Sequence, residues 1–320
     1  MRKIYRQHQP DVVHHVGLKL ILWGGLAAKH TKVKGVLNAV SGLGILFDDA
    51  HKKSFLRRGM TVVLRWGHRR KNVLDLFQNH EDEAIFVNSG ITQPADVRFI
   101  KGSGVDLSKF CPTPERNDGK IRVLFSGRMV REKGVGVLVE AAELLRHKYE
   151  GKVEFVLCGG LHANPRAYKE DEIRRMCDGD YISWKGLVSD MHEQLNQCHI
   201  FAFPSAYREG VPKSLLEACA TGRPIVTTDN TGCRDVVEDG INGFLVPVYD
   251  APTLADRLAR LIDDKELRAR FGNAARKQAE REFSIEMVTQ RHLEIYEELN
   301  ADAQPDNPSS SSTSPLEPTL

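Results

Sequence analysis

The chain has 320 residues, 41% of them hydrophobic and 28% charged, with a formal net charge of +2. That length holds two domains of ordinary size, and the composition is globular rather than fibrous or disordered. Six cysteines (111, 158, 177, 198, 219, 233) make no CxxC pair and have no histidine at zinc-site spacing, which argues against a disulfide framework or a zinc module and for reduced thiols. Met1 to Pro10 is polar and reads as no signal peptide. The longest apolar stretch, Val16 to Ala28, is interrupted by Lys19 and is shorter than the roughly 20 residues a bilayer span needs. The small net charge hides an asymmetry. Residues 1–110 hold 18 Lys+Arg against 9 Asp+Glu, and the remainder 27 against 34, so a basic half meets an acidic one. A basic half points to an anionic surface or substrate.

Asp11 to Val16 reads as a short strand and Gly17 to Ala28 as the helix after it, one βα unit. His14 and His15 are placed at the end of that strand, on opposite faces, so they do not chelate one metal together. Gly35 to Leu46 reads as a strand followed by a glycine-bearing loop. His51 to Lys71 carries eight Lys+Arg, no acidic residue, and Phe55, Leu56, Met60, Val63 and Trp66 interleaved. Such a stretch suits a helix lying on an anionic membrane, although Gly59 weakens the helix; with no RNA motif or stacking platform, no nucleic-acid partner is expected. Ala84 to Asn88 reads as a further strand, Ile100 to Asp106 closes this half, and Leu107 to Lys120 reads as a linker.

The second half is more regular. Strands are expected at 121–125, 153–160 (ending in paired glycines), 182–184, 199–203, 224–228 and 243–246, with helices at 135–147, about 166–177, 189–197, 251–263 and 265–281 between and after them. This alternation gives a doubly wound parallel sheet. Asp178-Gly-Asp180 falls in a helix-to-strand turn, where these residue types need no metal to justify them. Ala301 to Leu320 is Pro/Ser/Thr-rich and reads as a disordered tail.

The chemistry gathers around Tyr207-Arg-Glu-Gly-Val-Pro-Lys-Ser-Leu-Leu-Glu217, a turn between a strand and a helix. The amides of Gly210 to Leu215 open a helix, and a helix amino end favours phosphate. Glu209 and Glu217, seven residues between them, are acceptors suited to sugar and ribose hydroxyls; an exposed pair of helix-start glutamates is the plain alternative. Arg128 and Lys133 flank a second strand-to-helix loop, a fork and a point charge suited to a diphosphate leaving group.

Gly127-Arg-Met-Val-Arg-Glu-Lys-Gly134, Glu209-x7-Glu217, Gly222-Arg-Pro-Ile-Val226, the run Gly232-Cys-Arg-Asp to Pro247 and Glu282-Phe-Ser284 together resemble the retaining glycosyltransferases of family four. The resemblance covers about residues 8–299 and implies an α/β protein of the GT-B fold, two Rossmann-like domains with a cleft between them. Its domains would be 1–110, with the helix 284–299 packing back on it, and 121–283, joined by 111–120. Within the family, Val13-His-His-Val, Asn38-Ala-Val-Ser-Gly-Leu-Gly and the 207–217 turn look most like bacterial enzymes that extend undecaprenyl-diphosphate-linked sugars for capsule, O-antigen or protein glycans. The resemblance implies a UDP-sugar donor (UDP-GalNAc, UDP-Gal or a related sugar), an undecaprenyl-diphosphate-linked acceptor and no metal cofactor. It also implies a place on the cytoplasmic membrane face, held there by residues 52–71.

Carried over by position, Arg128, Lys133 and Glu209 would form the reacting centre. Gly127, Gly186, Leu187, Val188, Gly210, Val211, Pro212, Lys213, Ser214, Leu215 and Glu217 would bind the donor, and His14, His15 and Lys19 would lie on the acceptor side. One departure matters: the family's first domain opens with a strand, a glycine-rich loop and further βα units before the stretch resembling Asp11-Val-Val-His-His, so the first domain is expected to be incomplete by on the order of two such units. An inactive nucleotide-sugar-binding remnant is therefore the alternative reading.

Overall fold

The computed structural model describes residues 1–44, 47, 55–163 and 166–301. Two parallel sheets carry the chain. The first has the order β1 (Val12–Val16), β2 (Gly35–Val40), β3 (Val73–Phe77) and β4 (Val97–Phe99). Helices α1 (Arg2–His8), α2 (Leu18–Ala28), α3 (Phe55–His68) and α4 (His80–Asn88) complete that half. The second sheet contains β5 (Ile121–Ser126), β6 (Val153–Cys158), β7 (Ile182–Trp184), β8 (Ile200–Phe203), β9 (Ile225–Thr228) and β10 (Gly243–Val246), in the spatial order β10-β9-β8-β5-β6-β7. Around it run α5 (Val135–Tyr149), α6 (Glu170–Met176), α7 (Met191–Gln197), α8 (Lys213–Ala220), α9 (Ala251–Asp263) and α10 (Lys265–Glu282). This is the two-domain α/β architecture the resemblance implies.

The second half folds as its periodicity predicts because its strands are buried on both faces and its helices on one. Leu138, Ala141, Ala142 and Leu145 of α5 enter a single apolar core with Val123, Phe155 and Phe201. The chain builds β5, β6 and β7 outward in one direction and β8, β9 and β10 in the other. The order therefore reverses between β5 and β8, and open sheets of this kind bind ligands at the carboxyl ends of the strands flanking such a reversal.

In the first half, strand alternation distributes side chains between two faces. Leu37 of β2 and Leu74 and Leu76 of β3 lie with Val288, Ile295 and Leu299 of the last helix, α11 (Ile285–Ala301). Val40 and Phe77 face the other way, with Ile21 of α2, Leu64 of α3 and Phe86 of α4. On that side runs a buried polar seam. Tyr5 Oη is 2.8 Å from His15 Nε2, His15 Nδ1 is 2.9 Å from Asn38 Oδ1, Asn38 Nδ2 donates to Asp75 Oδ1 (3.0 Å), and His68 Nε2 is 3.0 Å from the same oxygen.

Three sequence readings are corrected. Ala84 to Asn88 is the end of α4 and not a strand, because Asn79 caps the helix by accepting from the Asp82 amide (2.8 Å) and Glu81, Asp82 and Glu83 fill its first turn, where the dipole favours acids. The strand of this region is β3, whose apolar run is interrupted by Asp75. Gly59 does not prevent α3: it sits on the exposed side, where packing asks nothing of it. Lys52 and Lys53, and the tail from residue 302, lie outside the described residues.

The two crossings between the halves run side by side. Val105 N–H donates to the Phe283 carbonyl (2.8 Å), and Ile285 N–H donates to that of Val105 (3.0 Å). Lys101 pairs with Glu282 at 2.9 Å beside them.

Candidate active site

The loops leaving β5 and β8 meet at the reversal point and are stitched together. The Glu132 carbonyl accepts the amides of Ala206 (2.8 Å) and Tyr207 (3.1 Å). This brings Lys133 onto Glu209: the ammonium pairs with Glu209 Oε1, which also accepts from Ser205 Oγ at 3.0 Å. Lys133 Nζ further lies 5.0 Å from the centre of the Phe203 ring and 5.8 Å from that of Tyr207. Arg128 is exposed. Burial and then Glu209 push the Tyr207 phenol up while Arg128 pulls it down, so both charges are felt at that ring. An exposed cation and an already paired one can exchange partners when an anion enters.

After Glu209 the chain turns into α8. Gly210, Val211 and Pro212 are buried, Lys213 is exposed, and Ser214 is between. Two of the amides have partners in the protein: Val211 N–H donates to Gln78 Oε1 (2.8 Å) and Leu215 N–H to the Pro212 carbonyl (3.0 Å). Leu215 itself is a core residue. Glu217, one turn into α8, is largely covered; burial raises its carboxyl above the usual range, with Lys213 and Lys109 opposing. A half-buried acid of this kind is ready to accept from hydroxyl groups.

Two further loops join at the same edge of the sheet. Gly127 N–H donates to the Cys158 carbonyl (3.0 Å), Gly159 N–H to that of Gly186 (2.7 Å), and Trp184 Nε1 to that of Gly159 (2.9 Å). Leu187 stands 86% exposed on this rim, while Val188 packs against the core.

Beneath the Glu209 turn lies a support for which the sequence reading assigned no role, although two of its residues, Gly232 and Asp235, belong to the Gly232-Cys-Arg-Asp run. Thr228 Oγ1 donates to the Ser205 carbonyl and Asn230 Nδ2 to that of Tyr207 (3.0 Å). Gly232, at φ +82°, presses so closely on the Gly210 carbonyl that any Cβ would overlap it. Asp235 Oδ2 accepts the Gly232 amide at 3.0 Å and fixes this contact.

The first domain reaches the same turn from the opposite side. Gly42, at φ +104°, approaches until a Cβ would stand 2.6 Å from Gly210 N. Arg208 Nε donates to Asp82 Oδ1 at 2.9 Å, where burial raises the carboxyl and the guanidinium opposes. Glu81 takes Thr231 Oγ1 and pairs with Arg234. Gln78, Glu81 and Asp82 were missed because Ala84 to Asn88, just after them, reads locally as strand and hides the helix they open; the Asn79-His-Glu-Asp cap was the available signal.

The structure does not bring the histidines to this crevice. His14 faces α11, with Nδ1 2.8 Å from Tyr296 Oη and its ring beside His292. Burial, His292 and His15 lower its pKa to about 4. His15 belongs to the polar seam, and burial lowers its pKa as well. Lys19 is exposed on the first turn of α2. Among the described residues no three His, Cys, Asp or Glu side chains are grouped to hold a metal; Asp178 Oδ1 instead accepts the amides of Asp180, Tyr181 and Ile182.

The basic stretch forms α3 with an outward apolar face. Leu64 and Gly67 are buried, while Phe55 (86% exposed), Leu56, Val62, Val63 and Trp66 face out among Arg58, Arg65 and Arg69. Val16, Leu20 and Trp23, at and after the end of β1, are exposed too, and α2 packs beside α3. No helix among the described residues is long and apolar enough to cross a membrane.

Residues 110–278 match the family described as Glycosyl transferases group 1, and residues 1–75 match Glycosyl transferase 4-like. The chain is 27% identical to the N,N'-diacetylbacillosaminyl-diphospho-undecaprenol alpha-1,3-N-acetylgalactosaminyltransferase of Campylobacter jejuni, over 93% of this chain and 80% of that protein. It is 25% identical to the UDP-Gal:alpha-D-GlcNAc-diphosphoundecaprenol alpha-1,3-galactosyltransferase of Escherichia coli, over 86% and 72%. Among solved structures it is similar to Anabaena Alr3699/HepE in complex with UDP (TM-score 0.77, 19% identity, 93% of this chain and 80% of that one). A sucrose-phosphate synthase from Thermosynechococcus elongatus is also similar (TM-score 0.79, 20% identity, 94% and 76%). At these identities the structural likeness carries the fold alone.

Proposed function

The chain belongs to the Glycosyl transferases group 1 family, and from that premise we propose that it moves a hexosyl or hexosaminyl unit from a UDP-sugar, with retention, to a lipid-diphosphate-linked saccharide in cell-surface glycan synthesis. The observation that carries this reading is the Lys133–Glu209 pair at the reversal point, which joins the loops leaving β5 and β8. The C. jejuni and E. coli relatives, whose names specify diphospho-undecaprenol-linked substrates, support the acceptor class. GalNAc and Gal are the favoured sugars on the same ground.

On donor binding, the diphosphate enters between Arg128, Lys133 and the amino end of α8. Lys133 turns from Glu209 to a phosphate oxygen, and the freed carboxylate accepts from sugar hydroxyls. Glu217 accepts from the ribose hydroxyls. The bond from the anomeric carbon to the β-phosphate oxygen breaks as the acceptor oxygen bonds to the same face of that carbon. The acceptor proton passes to the departing phosphate oxygen. The two cations stabilise the charge that grows on the diphosphate, so the reading needs no metal cofactor. The outward face of α3, extended by Trp23, would seat the protein on the cytoplasmic membrane face beside its lipid-linked acceptor. No observation favours the alternative of an inactive nucleotide-sugar-binding remnant.

The test is transfer of radiolabelled GalNAc or Gal from its UDP-sugar to an undecaprenyl-diphosphate-linked acceptor in membranes. Transfer by the chain, with UDP released in equal amount, is the expected result. UDP binding without transfer to any lipid-linked acceptor would overturn the reading.

A further inference from the structure

The turn that carries Glu209 belongs to the second domain, yet residues on both sides of Glu209 are held by the first. Arg208, just before it, gives its Nε–H to Asp82 Oδ1 at 2.9 Å; Asp82 is fully buried, and its Oδ2 accepts from Asn79 Nδ2 at 3.1 Å. Val211, just after Gly210, gives its amide to Gln78 Oε1 at 2.8 Å. Pro212 follows without an amide hydrogen, so Val211 offers the last backbone donor ahead of α8.

Both partners come from the carboxyl end of the first sheet. Gln78 is the residue directly after β3, and Asp82 lies in the first turn of α4. The fit is close: a Cβ on Gly210 would stand 2.3 Å from Gln78 Oε1 and 2.8 Å from the carbonyl of Ser41, the residue directly after β2. Glu81, beside Asp82, takes Thr231 Oγ1 and pairs with Arg234 in the segment beneath the turn. Glu209 has its own polar partners, Lys133 and Ser205, in the second domain. Its carboxylate is thus set by two groups of one domain, while the backbone that aims it is set by two groups of the other.

We propose that Gln78 and Asp82 are positioning residues for sugar transfer, which fix the segment 208–211 so that Glu209 faces the donor only while the first domain is seated on the turn. The inference rests on the transferase reading. It puts neither residue on the nucleotide: Gln78 acts through the Val211 amide and Asp82 through Arg208. Loss of either anchor leaves the nucleotide's contacts in the second domain in place and frees Glu209 to leave its geometry. An error of position at a reacting group lowers turnover rather than affinity.

The test is a double-mutant cycle in the transfer assay, using the full chain, UDP-GalNAc or UDP-Gal and an undecaprenyl-diphosphate-linked acceptor. Gln78→Met keeps the length of the side chain and removes its strong acceptor. The expected result is a fall in kcat of about tenfold, the usual effect of one hydrogen bond, with KM for the UDP-sugar and calorimetric UDP affinity within about twofold. In a Glu209→Gln background the same change should lower kcat by less than about twofold, since the group it positions is already gone. Equal losses in the two backgrounds, a loss carried by KM alone, or wild-type turnover in Gln78→Met would each overturn the proposal. Asp82→Asn, which removes the charge at nearly constant shape, is the second variant. Its kcat loss should shrink in the Glu209→Gln background in the same way, and a loss of equal size in both would assign Asp82 to stability alone.

Hydrogen exchange of the UDP-bound chain gives a readout without turnover. Peptides covering residues 207–212 should exchange at least about tenfold faster in Gln78→Met, while peptides from β5 and β6 are unchanged. Unchanged exchange at 207–212 overturns the Gln78 anchor whatever the kinetics. A wild-type chain that transfers to no lipid-linked acceptor overturns the transferase reading and the role in turnover with it. Transfer by the wild type with an additive cycle overturns this inference alone.

Discussion

The two halves solve the same folding problem differently. The second buries one continuous apolar core, from Val105 to Phe283, and sets its loops on a sheet covered on both faces. The first divides its apolar residues among three smaller clusters, threads a polar seam from Tyr5 to His68 between helices and strands, and turns Phe55, Leu56, Val62 and Trp66 outward. A dry, continuous core holds loops to a fixed geometry, as electrostatic preorganisation for group transfer requires. A smaller core with a hydrogen-bonded seam tolerates an outward apolar face and depends more on solution conditions. The second half thus carries Lys133 and Glu209, and the first carries the outward apolar face of α3.

That contrast can be broken most sharply at Glu209. Glu209→Gln keeps an acceptor for Ser205 but removes the charge opposite Lys133. Transfer should fall about 10²–10³-fold, while UDP affinity, read by calorimetry, stays near wild type; the thermal midpoint should also drop, because Lys133 loses its buried partner. Unchanged transfer would remove Glu209 from the reacting centre. Gly232→Ala attacks the support directly. The added methyl has no room beside Gly210, and activity should fall by about 10²-fold, the usual result of misplacing a reacting group by an ångström; circular dichroism should be unchanged.

Across the crevice, Asp82→Ala leaves the Arg208 guanidinium with Glu81, at 3.6 Å, as its only carboxylate among the described residues. Breaking a buried pair of this kind costs about 3 kcal/mol or more. Urea denaturation should show the loss in the first domain, with the second domain's transition unmoved. In the seam, Asn38→Ala strands His15 Nδ1 and one contact of Asp75. The expected cost is about 1–3 kcal/mol, again confined to the first half.

The smallest effect is with pH. His14 is held neutral in the fold, its pKa lowered from 6.5 to about 4 by burial and by His292 and His15. Between those values the unfolded chain binds the extra proton and the native one does not. Stability from this site is therefore complete above about 6.5 and is lost as the pH falls toward 4. The melting midpoint should drop by a few degrees from pH 7 to pH 5, and His14→Gln should reduce that drop. An identical drop in the variant would remove His14 from the account.

The same contrast decides how much of the molecule is legible in its residues. Strands β7 and β10 and helix α9 lie where periodicity puts them, because local preference and burial agree there. In the first half they conflict. Phe86 and its β-branched neighbours Ile85 and Val87 favour a strand, yet the Asn79 cap and the acidic first turn make a helix. Asp75 breaks the apolar run of β3 and is buried only because Asn38 and His68, far off in sequence, satisfy one oxygen. α1 escapes notice because Tyr5 is its sole buried residue. At the crevice, Lys133 and Glu209 were readable from motif spacing. The reach of Gln78, Glu81 and Asp82 depends on how the halves face each other, which no local pattern encodes.

The paired crossings at Val105 and Phe283 to Ile285 restrict how that facing can change. Two segments bonded to each other cannot slide separately, so opening is a swing about them, like a cover about a book's spine. The edge farthest from the spine parts first and most widely, and contacts near it break before those beside Lys101 and Glu282. Any bulky substrate would have its doorway on that outer edge, and the spine keeps the second half's loops in register each time the cover shuts.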